Sequence, residues 1–393
     1  MPYAGRVLPA PVPDVKEDPT TMRTLFTRSL AVLTALCILA SALIAAPASA
    51  QQAAPPKWEP RQLSGISLRG SGATFPNPLY QAWISVYKNV VPGVTISYQG
   101  VGSGQGQTDF IRYLTDFGGT DSVMSSQRIL AEAPDTLHVP MVLGAVVPTY
   151  NLPEVPANTT LRFSGDTLAA IYQGQIKRWN DPKIVAENPG VKLPSTRITV
   201  VYRSDSSGTS SIWTDYLSKV SPSWKAAVGS GTTVKWPAGI GAPGNAGVAG
   251  TVKRTSGAIG YVELVFALGN KLPVPQVKNK AGNFVAPTLE NVSAAAEGVE
   301  LPADLRASIT DAAGANSYPI AAFTYILVRQ QTYTDAPKAQ ALADFLFWGL
   351  TEGQGATSRL GYAPLPAAVR LKAMAQLNKI QVGGAQVFAA APR

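Results

Sequence analysis

The sequence predicts an α/β fold, and three observations carry that prediction. From residue 66 onward, short β-branched or alternating apolar runs take turns with segments of helical periodicity. Gly/Ser/Thr-rich turns join the end of a strand to the start of a helix at three places. The chain of 393 residues has room for two domains of ordinary size, each with its own core. Strands separated by helices argue for largely parallel sheets.

The elements follow in order. Residues 66–70 read as a short strand. Residues 76–90 read as a helix, with Leu79, Trp83, Val86, Tyr87 and Val90 sharing one face. A strand over 94–98, a helix over 107–114 and a short strand over 116–119 come next. The long apolar run 137–150 reads as a strand that continues into a crossover. A second set comprises helices at 166–172 and 182–188, a β-branched strand at 198–203, helices at 210–220 and 247–254, and a strand at 258–263. Helices are expected at 288–297 and 302–312, a strong strand at 321–328, and helices at 337–350 and 365–380.

The first fifty residues stand outside this pattern. From Met22, Arg23 and Arg28 form a positive region, residues 30–46 form an apolar run, and Ala48-Ser49-Ala50 makes an A-x-A cleavage site before Gln51. This is the anatomy of a cleavable secretory signal peptide, and its apolar run is shorter than the roughly 20 residues a membrane span needs. The expected division is an over-called extension at 1–21, a signal peptide at 22–50 and a Pro/Gln-rich flexible leader at 51–65. Cys37, the only cysteine, lies inside the apolar run after Leu36 rather than at the cleavage boundary, which argues against a lipid anchor. Processing removes four bases and three acids, so the net charge of +9 falls to +8.

One histidine and one cysteine exclude a Cys/His zinc site and an internal disulfide. A nucleophile–histidine pair could be built only around His138, whose neighbours Leu137 and Val139 suggest a structural role. The positive charge favours anionic partners. The bases are scattered and no basic patch is interleaved with aromatics, so nucleic acid is not the expected partner.

The three turns are Gly70–Pro76, Gly100–Gly106 and Arg203–Thr209. A helix start leaves N–H groups without partners and carries partial positive charge; glycine admits close approach and Ser/Thr hydroxyls add donors. Each turn can equally be an ordinary helix cap. No P-loop, dinucleotide fingerprint or nucleophile elbow completes any of them. Arg203 ends a strand and could grip a tetrahedral oxyanion with two N–H groups, with Asp205 holding the guanidinium, or it could form a surface ion pair. Asp121 follows a strand end, where α/β ligand crevices lie. An ionised Asp only accepts hydrogen bonds, so in an anion site it favours an oxyanion that still carries a proton. Monohydrogen phosphate does at neutral pH, and sulfate does not. The alternative is a helix-capping Asp.

At these residues the sequence resembles the periplasmic phosphate-binding proteins of high-affinity phosphate ABC transporters. The stretches that carry the resemblance are GSGATFPNPLYQAW (70–83), YQGVGSGQG (98–106), DFGGTD (116–121), RSDSSGTS (203–210), VKWPAGIG (234–241) and GAIGYVE (257–263). The resemblance implies a two-lobe periplasmic-binding-protein fold, with a ligand cleft between the lobes and a crossover hinge. Lobe one would comprise 66–147 plus 322–393, and lobe two 148–321, with crossovers near 146–151 and 319–324. It implies phosphate ligands at Thr74, Phe75 (through its N–H), Ser103, Asp121, Arg203, Ser207, Gly208 and Thr209, with Asp205 orienting Arg203. Gly119-Thr120 replaces a frequent Ala-Ser, and Ser206 replaces a frequent Gly, which matters only if that position needs a positive φ. The implied protein is a monomeric, extracytoplasmic carrier that binds inorganic phosphate without turnover, uses no cofactor or metal, and delivers its ligand to a membrane permease. The alternative is a secreted phosphatase-like enzyme on the same scaffold.

Overall fold

The computed structural model describes residues 57–389. The extension and signal peptide predicted at 1–50, and the first part of the leader, lie outside the described residues. The rest of the predicted leader is tied down rather than loose. Trp58 Nε1 donates to Asp344 Oδ2 (3.2 Å), and Arg61 pairs with Asp344 (2.9 Å) while lying over the Phe388 ring.

The chain begins with β1 (Ile66–Gly72), α1 (Asn77–Val90), β2 (Val94–Gly100), α2 (Ser103–Ile111), β3 (Phe117–Thr120) and β4 (Thr136–Tyr150). After the short β5 (Arg162–Phe163) come β6 (Thr199–Arg203), α3 (Gly208–Val220), β7 (Ile240–Ala242), α4 (Gly244–Arg254) and β8 (Ala258–Glu263). Strands β9 (Gln276–Lys278) and β10 (Phe284–Val285) join β5 in a small sheet. The chain then returns through β11 (Ala321–Arg329) and α5 (Ala336–Leu350).

One sheet of eight strands, in the order β2-β1-β3-β11-β4-β8-β6-β7, organises the molecule. Its outer groups, β2-β1-β3 and β8-β6-β7, are parallel throughout. Its two long central strands are not: β11 runs antiparallel to β3 and β4, and β4 antiparallel to β8. The expectation of largely parallel sheets therefore needs correcting at the centre. The reason lies in β4, whose residues up to Ala145 pair with β11 and whose residues from Val146 onward pair with β8. A single strand thus serves both halves of a two-lobe fold, and the returning β11 runs back along it. Three crevice-facing strand ends result, at Gly72, Thr120 and Arg203, where α/β folds place their ligands.

Three sequence readings change. The buried face of α1 is Leu79, Tyr80, Trp83 and Tyr87; Val86 and Val90 stay exposed, because the sheet meets the neighbouring stripe. The helix expected at 107–114 starts earlier, at Ser103, because Gly102 (φ 96°) turns the chain sharply out of β2; it also ends earlier, before Tyr113 (φ 59°). The segment 302–312 is not helical. Leu305 (φ 61°) and Asp311 (φ 55°) sit in the left-handed region, which a right-handed helix excludes, and Leu305 is buried.

Candidate functional site

The Gly/Ser/Thr turns converge at the crevice, and a fourth turn joins them. Thr74 and Phe75 lie between β1 and α1. The Phe75 ring is buried and its carbonyl accepts from the Tyr362 hydroxyl (2.7 Å). Ser103 is the first residue of α2, and Gly208 and Thr209 form the first turn of α3. Ser207 caps α3, its hydroxyl oxygen accepting from the Ser210 N–H (3.1 Å), which leaves the Ser207 proton free to donate. Asp121 follows β3 directly, and Arg203 ends β6.

The two sides meet closely. A methyl on Gly208 would lie 2.3 Å from Ser103 Oγ and 2.7 Å from Asp121 Oδ2, so only glycine lets α3 approach the opposite wall. The Gly104 N–H donates to the Ser206 carbonyl (3.0 Å), and the Ser122 and Ser211 hydroxyls lie 3.1 Å apart. Ser103, Asp121, Arg203, Ser207 and Thr209 are all buried from solvent. All eight residues expected at the site line this closed crevice or the helix starts around it.

Arg203 is held in a defined pose. Its Nε donates to Asp205 Oδ1 (2.7 Å), its Nη2 pairs with Asp205 Oδ2, and its Nη1 donates to Thr209 Oγ1 (3.2 Å). Two of its five N–H groups remain for a ligand, a fork suited to two oxygens of one oxyanion. Asp205 also accepts from the Gly244 N–H (2.9 Å). Burial pushes the Asp205 carboxyl upward, but the hydrogen bonds and charge of Arg203 and the Gly244 amide outweigh it, so its pKa lies below the ordinary value.

Asp121 differs. Its Oδ1 accepts from the Thr324 hydroxyl (2.7 Å), and Ser103 Oγ lies 3.4 Å from Oδ2 while accepting from the Asp121 N–H (3.1 Å). Burial pushes its pKa up from 3.8 to about 7, against the lowering effects of the Thr324 hydrogen bond, the Arg203 charge and Ser103. The crevice thus offers many donors and one buried acceptor.

Two site residues escaped the sequence reading. Thr324 sits mid-strand in β11, where nothing local marks it. Asn245 sits in the first turn of α4, within a Gly-Asn-Ala-Gly run just beyond the matched stretch 234–241; that small-residue helix start was the available signal. Asn245 Nδ2 donates to Thr74 Oγ1 (2.9 Å) and Thr209 Oγ1 (3.1 Å), and its N–H points at Thr74 Oγ1 (3.3 Å). Ser206 is not among the positive-φ residues, so its replacement of a glycine introduces no strain. Its hydroxyl binds Thr232 instead (3.0 Å). Among the described residues no group of three or more His, Cys, Asp or Glu could hold a metal ion.

His138 lies elsewhere. It is buried on β4, its Nε2 accepts from the Met124 N–H (3.2 Å), and burial lowers its pKa to about 3. It lines a cavity of about 350 Å³ with Ile129, Asp304, Arg306 and Gln376, none of them crevice residues.

Residues 45–348 match the model of the PBP superfamily domain. A phosphate-binding protein PstS of Pasteurella multocida is 42% identical over 313 residues, covering 79% of this chain and 89% of its own. A protein of the same name from Methanocaldococcus jannaschii is 41% identical over 341 residues, covering 81% and 87%. The solved structure of a high affinity periplasmic phosphate-binding protein, bound with phosphate, shares the fold with a TM-score of 0.65 at 24% identity, covering 83% of this chain and 99% of that one.

Proposed function

Because the chain belongs to the PBP superfamily and, within it, to the PstS family of phosphate-binding proteins, we propose that it takes inorganic phosphate into the crevice between its lobes. The observation that carries this reading is the donor–acceptor balance of the crevice. Hydroxyls of Thr74, Ser103 and Ser207, N–H groups of Phe75, Gly208 and Thr209, and the free fork of Arg203 all donate, while Asp121 alone accepts. A tetrahedral oxyanion with one retained proton matches that set. Each charge-assisted bond is worth about 1.5–3 kcal/mol, and desolvating a dianion and closing the crevice consume much of the gain.

The lobes take the boundaries 66–147 plus 322–393 and 148–321, with the hinge in the central strands β4 and β11. After export by the signal at 22–50, the protein works as a monomer outside the cytoplasm and hands phosphate to the membrane permease of an ABC importer. No helix among the described residues is long and apolar enough to cross a membrane. The protein acts by binding without turnover. A phosphatase-like role would need an activated nucleophile, and the single imidazole is committed to the Met124 N–H in a different part of the fold.

Thermal denaturation with added anions tests the reading. At pH 9, where Asp121 is ionised, millimolar phosphate raises the melting temperature, and the same concentration of sulfate leaves it unchanged. Equal stabilisation by both would sink the role given to Asp121, and no response to phosphate would sink the reading itself.

A further inference from the structure

Asn245 makes no contact that requires a ligand, yet it touches both threonines of the crevice. Its amide orientation is fixed by chemistry. The Glu263 N–H, which can only donate, faces Asn245 at 2.9 Å, so the atom there is Oδ1 and the amide nitrogen points into the crevice. That nitrogen has two hydrogens, one spent on Thr74 Oγ1 and the other on Thr209 Oγ1. Thr74 Oγ1 also receives the Asn245 backbone N–H, and Thr209 Oγ1 also receives Arg203 Nη1. A hydroxyl oxygen has two lone pairs. Both are taken in each threonine, so neither hydroxyl can accept from anything else, and each proton must point outward as a donor.

We infer that Asn245 is a positioning residue that presets the hydroxyls of Thr74 and Thr209 as hydrogen-bond donors toward the bound oxyanion, and does so fully only when the lobes are closed. The inference rests on the phosphate reading above. Thr74 comes from the β1–α1 turn, whereas Asn245 and Thr209 come from helix starts on the opposite side. Separating the sides takes Thr74 away from Asn245 and frees its hydroxyl to rotate. Closure and donor orientation are thereby one event. The energetic reason is preorganisation: a hydroxyl already aimed at its acceptor loses no rotational freedom when the anion arrives. Asn245 is fully buried, which strengthens these dipoles by keeping water from competing.

The test is titration calorimetry of inorganic phosphate against six proteins: wild type, Asn245→Ala, Asn245→Asp, the double variant Thr74→Val/Thr209→Val, and that double variant combined with each Asn245 substitution. Asn245→Ala weakens binding by roughly 10- to 100-fold, the range expected for one or two misdirected charge-assisted hydrogen bonds. In the background lacking both hydroxyls, the same substitution costs less than about twofold, because its targets are gone. A cost undiminished in that background overturns the inference, since Asn245 would then act through packing alone. Asn245→Asp guards against misfolding. It keeps an oxygen for the Glu263 N–H but cannot donate as a carboxylate and adds a negative charge beside the anion, so binding is weakened more than by Asn245→Ala where the threonines are present, and only by the charge where they are absent. Failure of the wild type to bind phosphate would defeat the phosphate reading itself and this inference with it; a binding wild type with additive losses defeats only the inference.

Discussion

The two acids of the crevice, Asp121 and Asp205, stand near the same guanidinium and have opposite fates. Asp205 forms a two-point pair with Arg203 and accepts the Gly244 amide as well, so it is held below its ordinary pKa and stays ionised. Asp121 faces hydroxyls and backbone in a site closed to solvent, and burial lifts it to about 7. The difference teaches how a site for an anion can contain a carboxylate. Asp205 neutralises and aims the cation from its own side of the crevice. Asp121 keeps a lone pair unmet on the other side, where only a ligand proton satisfies it. The charged attraction comes from one side and the selectivity from the other, while neutral donors line both.

The largest effect falls on the attractive half. Arg203→Ala removes the fork and also strands Asp205 as an unpaired charge near the anion. Phosphate affinity falls by about 2–5 kcal/mol, the range for truncating one partner of a buried charge pair. Calorimetry at fixed ionic strength measures it. An unchanged affinity would mean that Arg203 does not face the ligand and that the two halves are not divided in this way.

The selective half responds differently, in which anion is chosen more than in how tightly. Asp121→Asn replaces the acceptor with a group that can donate, so sulfate gains a partner where it met a lone pair. The phosphate-over-sulfate ratio, for which unsatisfied polar groups can supply up to roughly 10⁴–10⁵, collapses by orders of magnitude in competition titrations. Proton binding makes the same point without a mutation. Asp121 has a folded pKa raised above its unfolded value, so between about 4 and 7 the folded state holds a proton that the unfolded chain has released. Its contribution to stability is therefore favourable at low pH and is lost as pH rises through about 7. In the ligand-free protein, wild type gains stability relative to Asp121→Asn as pH falls across that window, read by denaturant melts. Sulfate affinity rises in the same direction, because a protonated Asp121 donates. Asp205, held low, shows neither effect.

Most of this division was legible in the sequence, and the gaps have physical causes. The strand-turn-helix junctions at 70–76, 100–106 and 203–209 announce themselves because closely spaced small and hydroxyl residues are needed locally, to cap helices and admit a ligand. Asp121 is legible for a chemical reason: an acid at a crevice-facing strand end conflicts with an anion site until the ligand proton is counted. Thr324 was invisible because it acts across 203 residues of sequence through a single hydroxyl in a β-branched strand, where threonine is unremarkable. Asn245 was hidden because the helix it opens starts three residues earlier than its apolar periodicity suggests. The antiparallel centre of the sheet was missed for a related reason. Alternation predicts crossovers, but β4 is one uninterrupted apolar strand shared by two half-sheets, and its hydrophobicity is the same whichever partner it meets.

The smallest expected effect tests whether Asp121 needs help to remain an acceptor. Thr324 donates to Oδ1 and opposes the upward push of burial, so it favours the ionised form. Thr324→Val keeps the shape of a β-branched residue in a central strand and removes only that donor. Two consequences follow with definite sign. Phosphate affinity at pH 9 falls by about 1 kcal/mol, the worth of one hydrogen bond, because Asp121 loses a donor that orients it. The pH at which sulfate begins to bind moves upward, because the carboxyl now holds its proton to higher pH. A downward shift would show that Thr324 stabilises the protonated acid instead, and the selective half would then owe its acceptor to Arg203 across the crevice rather than to the neighbouring strand β11.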